Sequence, residues 1–233
     1  GTLKMKKTVF IILLLIRTLN AGEPAEYPLP DGFVDLKKII PPIQAELRYQ
    51  SAQNFMGTLV DGYESERLIL TRQAALALAK VDAELSSYGF GLKVFDAYRP
   101  QRAVDHFVRW AGDLADTLKK SEYYPNVEKD DLFEEGYIAR RSSHSRGSTV
   151  DLTITYQQED GAWRDLDMGT GFDWFGQESW LKSRNVMPEQ RANRLLLHEL
   201  MLKHGFKSYS REWWHFTLKN EPFPERYFDF PVR

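Results

Sequence analysis

Three short segments of this 233-residue chain carry side chains capable of hydrolytic chemistry. In Ser142-Ser-His-Ser-Arg-Gly-Ser-Thr-Val-Asp151 a polar, glycine-containing turn runs into an alternating stretch, with His144 and Asp151 at its two ends. A His and an Asp brought together around a strand entry are two ligands for a divalent metal. In Glu212-Trp-Trp-His215 a carboxylate lies close to a further imidazole. Three protein ligands, an open position for water and a carboxylate nearby make a catalytic zinc site, with Glu212 as the base. In Asp96-Ala-Tyr-Arg-Pro100, Arg99 stands where a short strand ends and a helix begins. A guanidinium there can reach into a cleft and stabilise an oxyanion.

Each segment also has a purely structural reading. A His and an Asp at this separation commonly bind nothing, and Trp213, Trp214 and Phe216 could pack around a core His215. Arg99 could simply pair with Asp96. Glu212 and His215 pose a geometric difficulty as well. Three residues apart on a flat strand, they face opposite ways, so a twist, a bulge or a strand end must bring them to one pocket. His198-Glu199 with His204 resembles the helical HExxH zinc signature, but the second His is two residues too far along to share its face. His106 reads as an ordinary satisfied histidine.

Composition narrows the chemistry. There is no cysteine, which excludes thiol nucleophiles, disulfides and zinc ribbons, so a metal site must use His and carboxylates. Lys and Arg number 31 against 33 Asp and Glu, a balance that gives no electrostatic reason to expect a nucleic-acid partner. Neither a glycine-rich phosphate loop nor a Gly-x-Ser-x-Gly elbow is present.

The elements that must position these residues follow from periodicity. Thr71 caps a predicted helix with Ala74, Leu78, Val81 and Leu85 on one face, stopped by Gly89. A second helix is predicted over 101–119, with Val104, Phe107, Ala111, Leu114 and Leu118 as its stripe. A third follows Pro188 and ends at Gly205, with Ala192, Leu196 and Leu200 inward. Strands are predicted over 91–95, 150–155 and 213–218. In the second of these, Val150, Leu152 and Ile154 face the core and Asp151 the opposite side. Helices and strands in this irregular order predict an α+β fold with a central, mainly antiparallel sheet flanked by helices. Residues 23–45, with five prolines, read as an extended lead-in over the domain.

The N-terminus reads as an export signal: Met5-Lys6-Lys7, an apolar run from Val9 to Ile16, and a small-residue cleavage site ending at Ala21. The run is too short to span a bilayer, so no membrane span is expected after its removal. Residues 1–22 are therefore expected to be remnant and signal, and 23–233 one domain. Export without cysteine suits a bacterial periplasm, with the cytoplasm the alternative if the signal does not function.

Together the segments resemble the VanX-type D-alanyl-D-alanine dipeptidases, within the zinc D,D-peptidase family related to the hedgehog fold. The matching text is Asp96-Ala-Tyr-Arg-Pro-Gln-Arg-Ala103, then Ser142 to Thr153, then Glu212-Trp-Trp-His-Phe216. Thr149 stands where the family usually has Ala. Further likenesses include Tyr123-Tyr-Pro-Asn126, Met168-Gly-Thr-Gly-Phe-Asp173 and Tyr227-Phe-Asp-Phe-Pro231. The resemblance implies one Zn2+ per chain, held by His144, Asp151 and His215, with Glu212 as base and proton shuttle. It implies that Arg99 polarises the scissile carbonyl, that Tyr49 and Asp173 hold the substrate's ammonium group, and that Ser142 lies near its carboxylate end. The implied substrate is a small D,D-dipeptide, cleaved to two D-alanines. A zinc D,D-carboxypeptidase acting on longer stem peptides is the alternative, and a non-catalytic zinc-stabilised binding module a more distant one.

Overall fold

Strand β5 (Thr149–Gln157) is the axis of the molecule. The computed structural model describes residues 27–233; the predicted export signal lies outside them. β5 is flanked by β4 (Phe90–Asp96) and β8 (Glu212–Leu218), and the sheet is completed by β2 (Gln44–Ala45) beyond β4 and β7 (Phe206–Tyr209) beyond β8. β6 (Trp163–Asp165) pairs with the far end of β5. Every pairing is antiparallel except β2 with β4, so the predicted mainly antiparallel sheet is observed. A separate two-stranded sheet joins β1 (Phe33–Asp35) to β3 (Ile69–Thr71). The prolines around β1 and β2 confine this lead-in to short edge pairings, because proline cannot donate to a ladder.

Helix α1 (Arg72–Ser86) starts as predicted, with Thr71 Oγ1 accepting the Ala74 amide at 3.4 Å, and it packs on β3 and β4. Its apolar face, Ala74, Leu78, Val81 and Leu85, is the buried one. Helix α2 (Gln101–Gly112) is shorter than predicted. Beyond Gly112 the chain turns, and the Lys129 ammonium takes the carbonyls of Asp113 and Asp116. Leu114 and Leu118, expected on the buried stripe, are exposed; a short α3 (Lys120–Tyr123) follows.

Helix α4 (Pro188–Lys203) is where predicted, but its inward face is not. Arg194, Leu197 and Met201 are buried, while Leu196 is exposed. The apolar periodicity skips Arg194 because a charged side chain occupies a core position there. Its Nε donates to the Met168 carbonyl at 2.6 Å and Nη1 to those of Glu178 and Trp180 at 2.7 and 2.9 Å. Carbonyl acceptors of this kind meet the demand that a buried charge be hydrogen-bonded.

On β5, Val150, Leu152 and Ile154 are fully buried as expected, but Asp151, Thr153 and Thr155 are buried too. The polar side of the strand is covered, and part of that cover encloses the site. No helix among the described residues is long and apolar enough to cross a membrane.

Candidate active site

Three neighbouring strands bring the first residues together. Asp151 on β5 pairs in register with Asp96 on β4 and His215 on β8. The ladder slips on both flanks: between Val94 and Asp96 on one side, and between Ser208 and Tyr209, opposite β8, on the other. The second slip sets Tyr209 against Glu212 and Ser208 against Phe216, which inserts extra residues into β8 between its two functional side chains. Such a bulge re-aims side chains, and it removes the facing problem posed by their spacing: Glu212 Oε2 lies 3.5 Å from His215 Nδ1.

His144 arrives on a single 3-10 turn, Ser143–Arg146, capped by the Ser142 hydroxyl and closed by Gly147 at φ +83°. Its ring is buried, and Nδ1 lies 2.7 Å from the Ala97 carbonyl oxygen. A carbonyl only accepts, so Nδ1 carries the proton and Nε2 presents its lone pair inward. That lone pair faces Asp151 Oδ2 at 3.2 Å and His215 Nδ1 at 3.3 Å. His215 is held from its other side, where Nε2 meets Ser143 Oγ at 3.2 Å. Oriented imidazoles of this type are what a metal site needs around its ligands.

The donor set can be tested against a metal directly. A tetrahedral ion with bonds of about 2.0–2.1 Å separates its ligand atoms by roughly 3.3–3.4 Å. The two nitrogens stand 3.3 Å apart, and each lies close to one carboxylate oxygen of Asp151, His144 Nε2 to Oδ2 at 3.2 Å and His215 Nδ1 to Oδ1 at 3.1 Å. Asp151 Oδ1 is buried without a hydrogen bond, a costly state that a cation relieves. Two imidazole nitrogens and one carboxylate therefore fit zinc. His198 and His204 are used elsewhere, by Ser208 and Glu84, and His106 Nδ1 accepts the Asp61 amide.

Arg99 makes the pairing with Asp96 and also reaches the cavity. Nε donates to Asp96 Oδ2 at 2.8 Å and Nη2 lies 3.5 Å from Asp151 Oδ2. Its guanidinium lies over the rings of Tyr49 and Phe107, 4.9 and 5.2 Å from their centroids, and borders the cavity. Asp96, the partner the sequence offers for Arg99, is fully buried and also accepts the Tyr63 hydroxyl at 2.6 Å. Burial, then the charge of Asp151, pushes its pKa up against the pull of Arg99 and His144.

The three donors and Arg99 line a cavity of about 290 Å³, at the small end for a ligand site. Glu212 forms part of its wall, and desolvation there, with Asp151 nearby, pushes its pKa up to about 7. Tyr49 and Asp173 also line it, joined by a 2.8 Å hydrogen bond from the phenol to Oδ2. Burial and the charge of Asp151 push the Asp173 pKa far above the usual carboxylate range. Asp173 also adopts φ +61°, a left-handed conformation that Asp and Asn tolerate better than most residues. Ser142 lies along the cavity rim, so every predicted site residue reaches the same space. Residues 136–139 form a further part of the wall, with Tyr137 stacked on Phe175. Ser143 was overlooked despite sitting inside the quoted motif, and its value to His215 depends on a contact 72 residues away.

The comparisons agree with this geometry. The D-Ala-D-Ala dipeptidase model of the Peptidase M15 family matches residues 30–233. The chain is 41% identical over 204 residues to the D-alanyl-D-alanine dipeptidase of Enterococcus faecalis, covering 88% of this chain and 100% of that one. It is 39% identical over 202 residues to that of Enterococcus faecium, covering 87% and 98%. The Streptomyces coelicolor dipeptidase is 42% identical over 201 residues, covering 86% and 97%. With its site and nearly its whole described length in agreement, the chain belongs to the Peptidase M15 D-Ala-D-Ala dipeptidase family of metallopeptidases.

Proposed function

We propose that the chain hydrolyses D-alanyl-D-alanine to two D-alanines, with Glu212 as general base and proton shuttle. The observation that carries the reading is one small cavity bounded by the His144–Asp151–His215 donors, Glu212 and Arg99, and also by the Tyr49–Asp173 pair. Zinc held by the three donors supplies Lewis acidity, bringing the pKa of water toward ~7 and polarising a carbonyl.

Glu212 accepts the proton of the attacking water on its carboxylate and delivers it to the departing amine nitrogen. Arg99, held by Asp96 through Nε, offers its remaining N–H groups to the carbonyl oxygen as negative charge develops there. Asp173 and the Tyr49 hydroxyl receive the substrate ammonium. Ser142 meets the other end of the dipeptide. An N-acylated peptide has an amide where Asp173 would meet the ammonium, and a longer one carries its ammonium beyond the pocket or fails to fit, penalties that discriminate strongly.

Hydrolysis of D-Ala-D-Ala, L-Ala-L-Ala and N-acetyl-D-Ala-D-Ala by the zinc-loaded protein tests this. Cleavage of the free D,D-dipeptide alone is expected. Comparable turnover of the acylated compound would replace the dipeptidase reading with a carboxypeptidase. We propose export on residues 5–21 alone; protein in the cytoplasm retaining Met5 would overturn it.

A further inference from the structure

The cavity's charged groups are for the most part already taken up on this reading: the three donors by the metal, Glu212 by the water and Asp173 by the ammonium. Asp151, Asp173 and Glu212 all line it, and Asp96 stands directly behind Arg99. A dipeptide also brings an anion, the C-terminal carboxylate, which is costly to bury unless a cation receives it. Among the described residues lining the cavity, Arg99 and Arg141 are the two with permanent positive charge. Arg99 is committed to Asp96 and to Asp151.

Arg141 is not so committed. It precedes Ser142 in the chain, is exposed, and rests its guanidinium on the Tyr227 ring, 5.0 Å from the centroid. The neighbouring Arg146 crosses the same ring at 5.7 Å but is neutralised by Glu221, which accepts from Nε and Nη2 at 2.8 Å each. Tyr227 thus gives Arg141 an apolar rest without satisfying its hydrogen-bonding edge. A planar guanidinium with free N–H groups is suited to a carboxylate, which it can meet through two parallel bonds.

We infer that Arg141 is the counter-ion for the substrate's C-terminal carboxylate, acting beside the Ser142 hydroxyl and selecting dipeptides with a free C-terminus. The inference rests on the dipeptidase reading above. It assigns the two ends of the substrate to two charges, Asp173 for the ammonium and Arg141 for the carboxylate. Tyr227 acts through Arg141 as a positioning residue.

The test compares D-Ala-D-Ala with D-alanyl-D-alaninamide as substrates for the wild type, Arg141→Met and Arg141→Lys. The wild type should prefer the free acid. Arg141→Met should lower kcat/KM for the acid by about tenfold, the worth of one charge-assisted hydrogen bond, mainly through KM. It should leave the amide unchanged, and Arg141→Lys should recover much of the loss. A merely structural role would reduce acid and amide together, and that outcome overturns the inference alone, as would a wild type indifferent to amidation. A wild type inactive on D-Ala-D-Ala would overturn the dipeptidase reading and this inference with it.

Discussion

Glu212 and Asp173 are two buried-site carboxylates with raised pKa values and different tasks. In the proposed mechanism Glu212 takes up and passes on a proton, so turnover would require its ionised form. Its pKa of about 7 belongs to the site without a metal; a divalent cation nearby pulls it lower. The acid limb of kcat/KM for the zinc-loaded protein should therefore fall below pH ~7, and Glu212→Gln should lower kcat by about 10²–10⁴-fold with bound zinc unchanged. Zinc analysis beside steady-state rates checks both. Asp173 is instead proposed to receive a cation. Its native pKa lies far above the unfolded value near ~3.9, so the folded state binds more protons, and stability falls as pH rises above that value toward the native pKa. At neutral pH the empty pocket is thus destabilised by its own carboxyl group. Asp173→Asn keeps a side chain that tolerates φ +61° and removes the titration. It should raise the melting temperature of the substrate-free protein, by roughly 2–4 °C for each kcal/mol, and raise KM. Calorimetry at pH 7 with parallel kinetics decides whether both move in those directions.

The same residues were legible in the sequence to different degrees, and the elements explain why. His144, Asp151, Glu212, His215 and Arg99 lie in short segments whose residue types already suggest the chemistry. The bulge in β8 that turns Glu212 and His215 to one pocket was required by their spacing, yet its location depends on the register with β7. The stripe of α4 was misread because Arg194, a residue that ordinarily stays at the surface, is buried. Its guanidinium holds carbonyls on both sides of Asp173 in the chain, at Met168 and Trp180, so a core position serves the loop carrying Asp173. The end of α2 was misread because the carbonyls past Gly112 are taken by Lys129, a contact 13 and 16 residues away that no local periodicity encodes. Gly147 can be understood at this scale. It closes the turn that presents His144, and a Cβ there would run into the Phe33 ring and close against Thr71. Gly147→Ala should cost at least about 1–2 kcal/mol from the left-handed backbone alone, and more from the clash. Denaturation and zinc-binding measurements on this variant should show both stability and metal affinity reduced; unchanged affinity would mean that the turn does not set the position of His144.

At the scale of the molecule, the sheet supplies a rigid floor and the loops a lid of side chains. Asp96, Asp151 and His215 lie side by side on β4, β5 and β8, fixed by the central ladder, while Tyr49, Ser142 and Asp173 come from connections above it. Rigid strands suit atoms that must keep their spacing to a few tenths of an ångström around a metal, and loops suit the groups that define a particular substrate. One metal ion held by His144, Asp151 and His215 is predicted to be required for dipeptide hydrolysis. Chelated protein titrated with zinc, with D-Ala-D-Ala turnover followed at each addition, tests it most directly. Activity is predicted to be absent at the start, to rise in proportion to zinc, and to level off at one ion per chain, with Asp151→Ala giving no such rise. Full turnover by the chelated protein, or a normal titration in that variant, would contradict it.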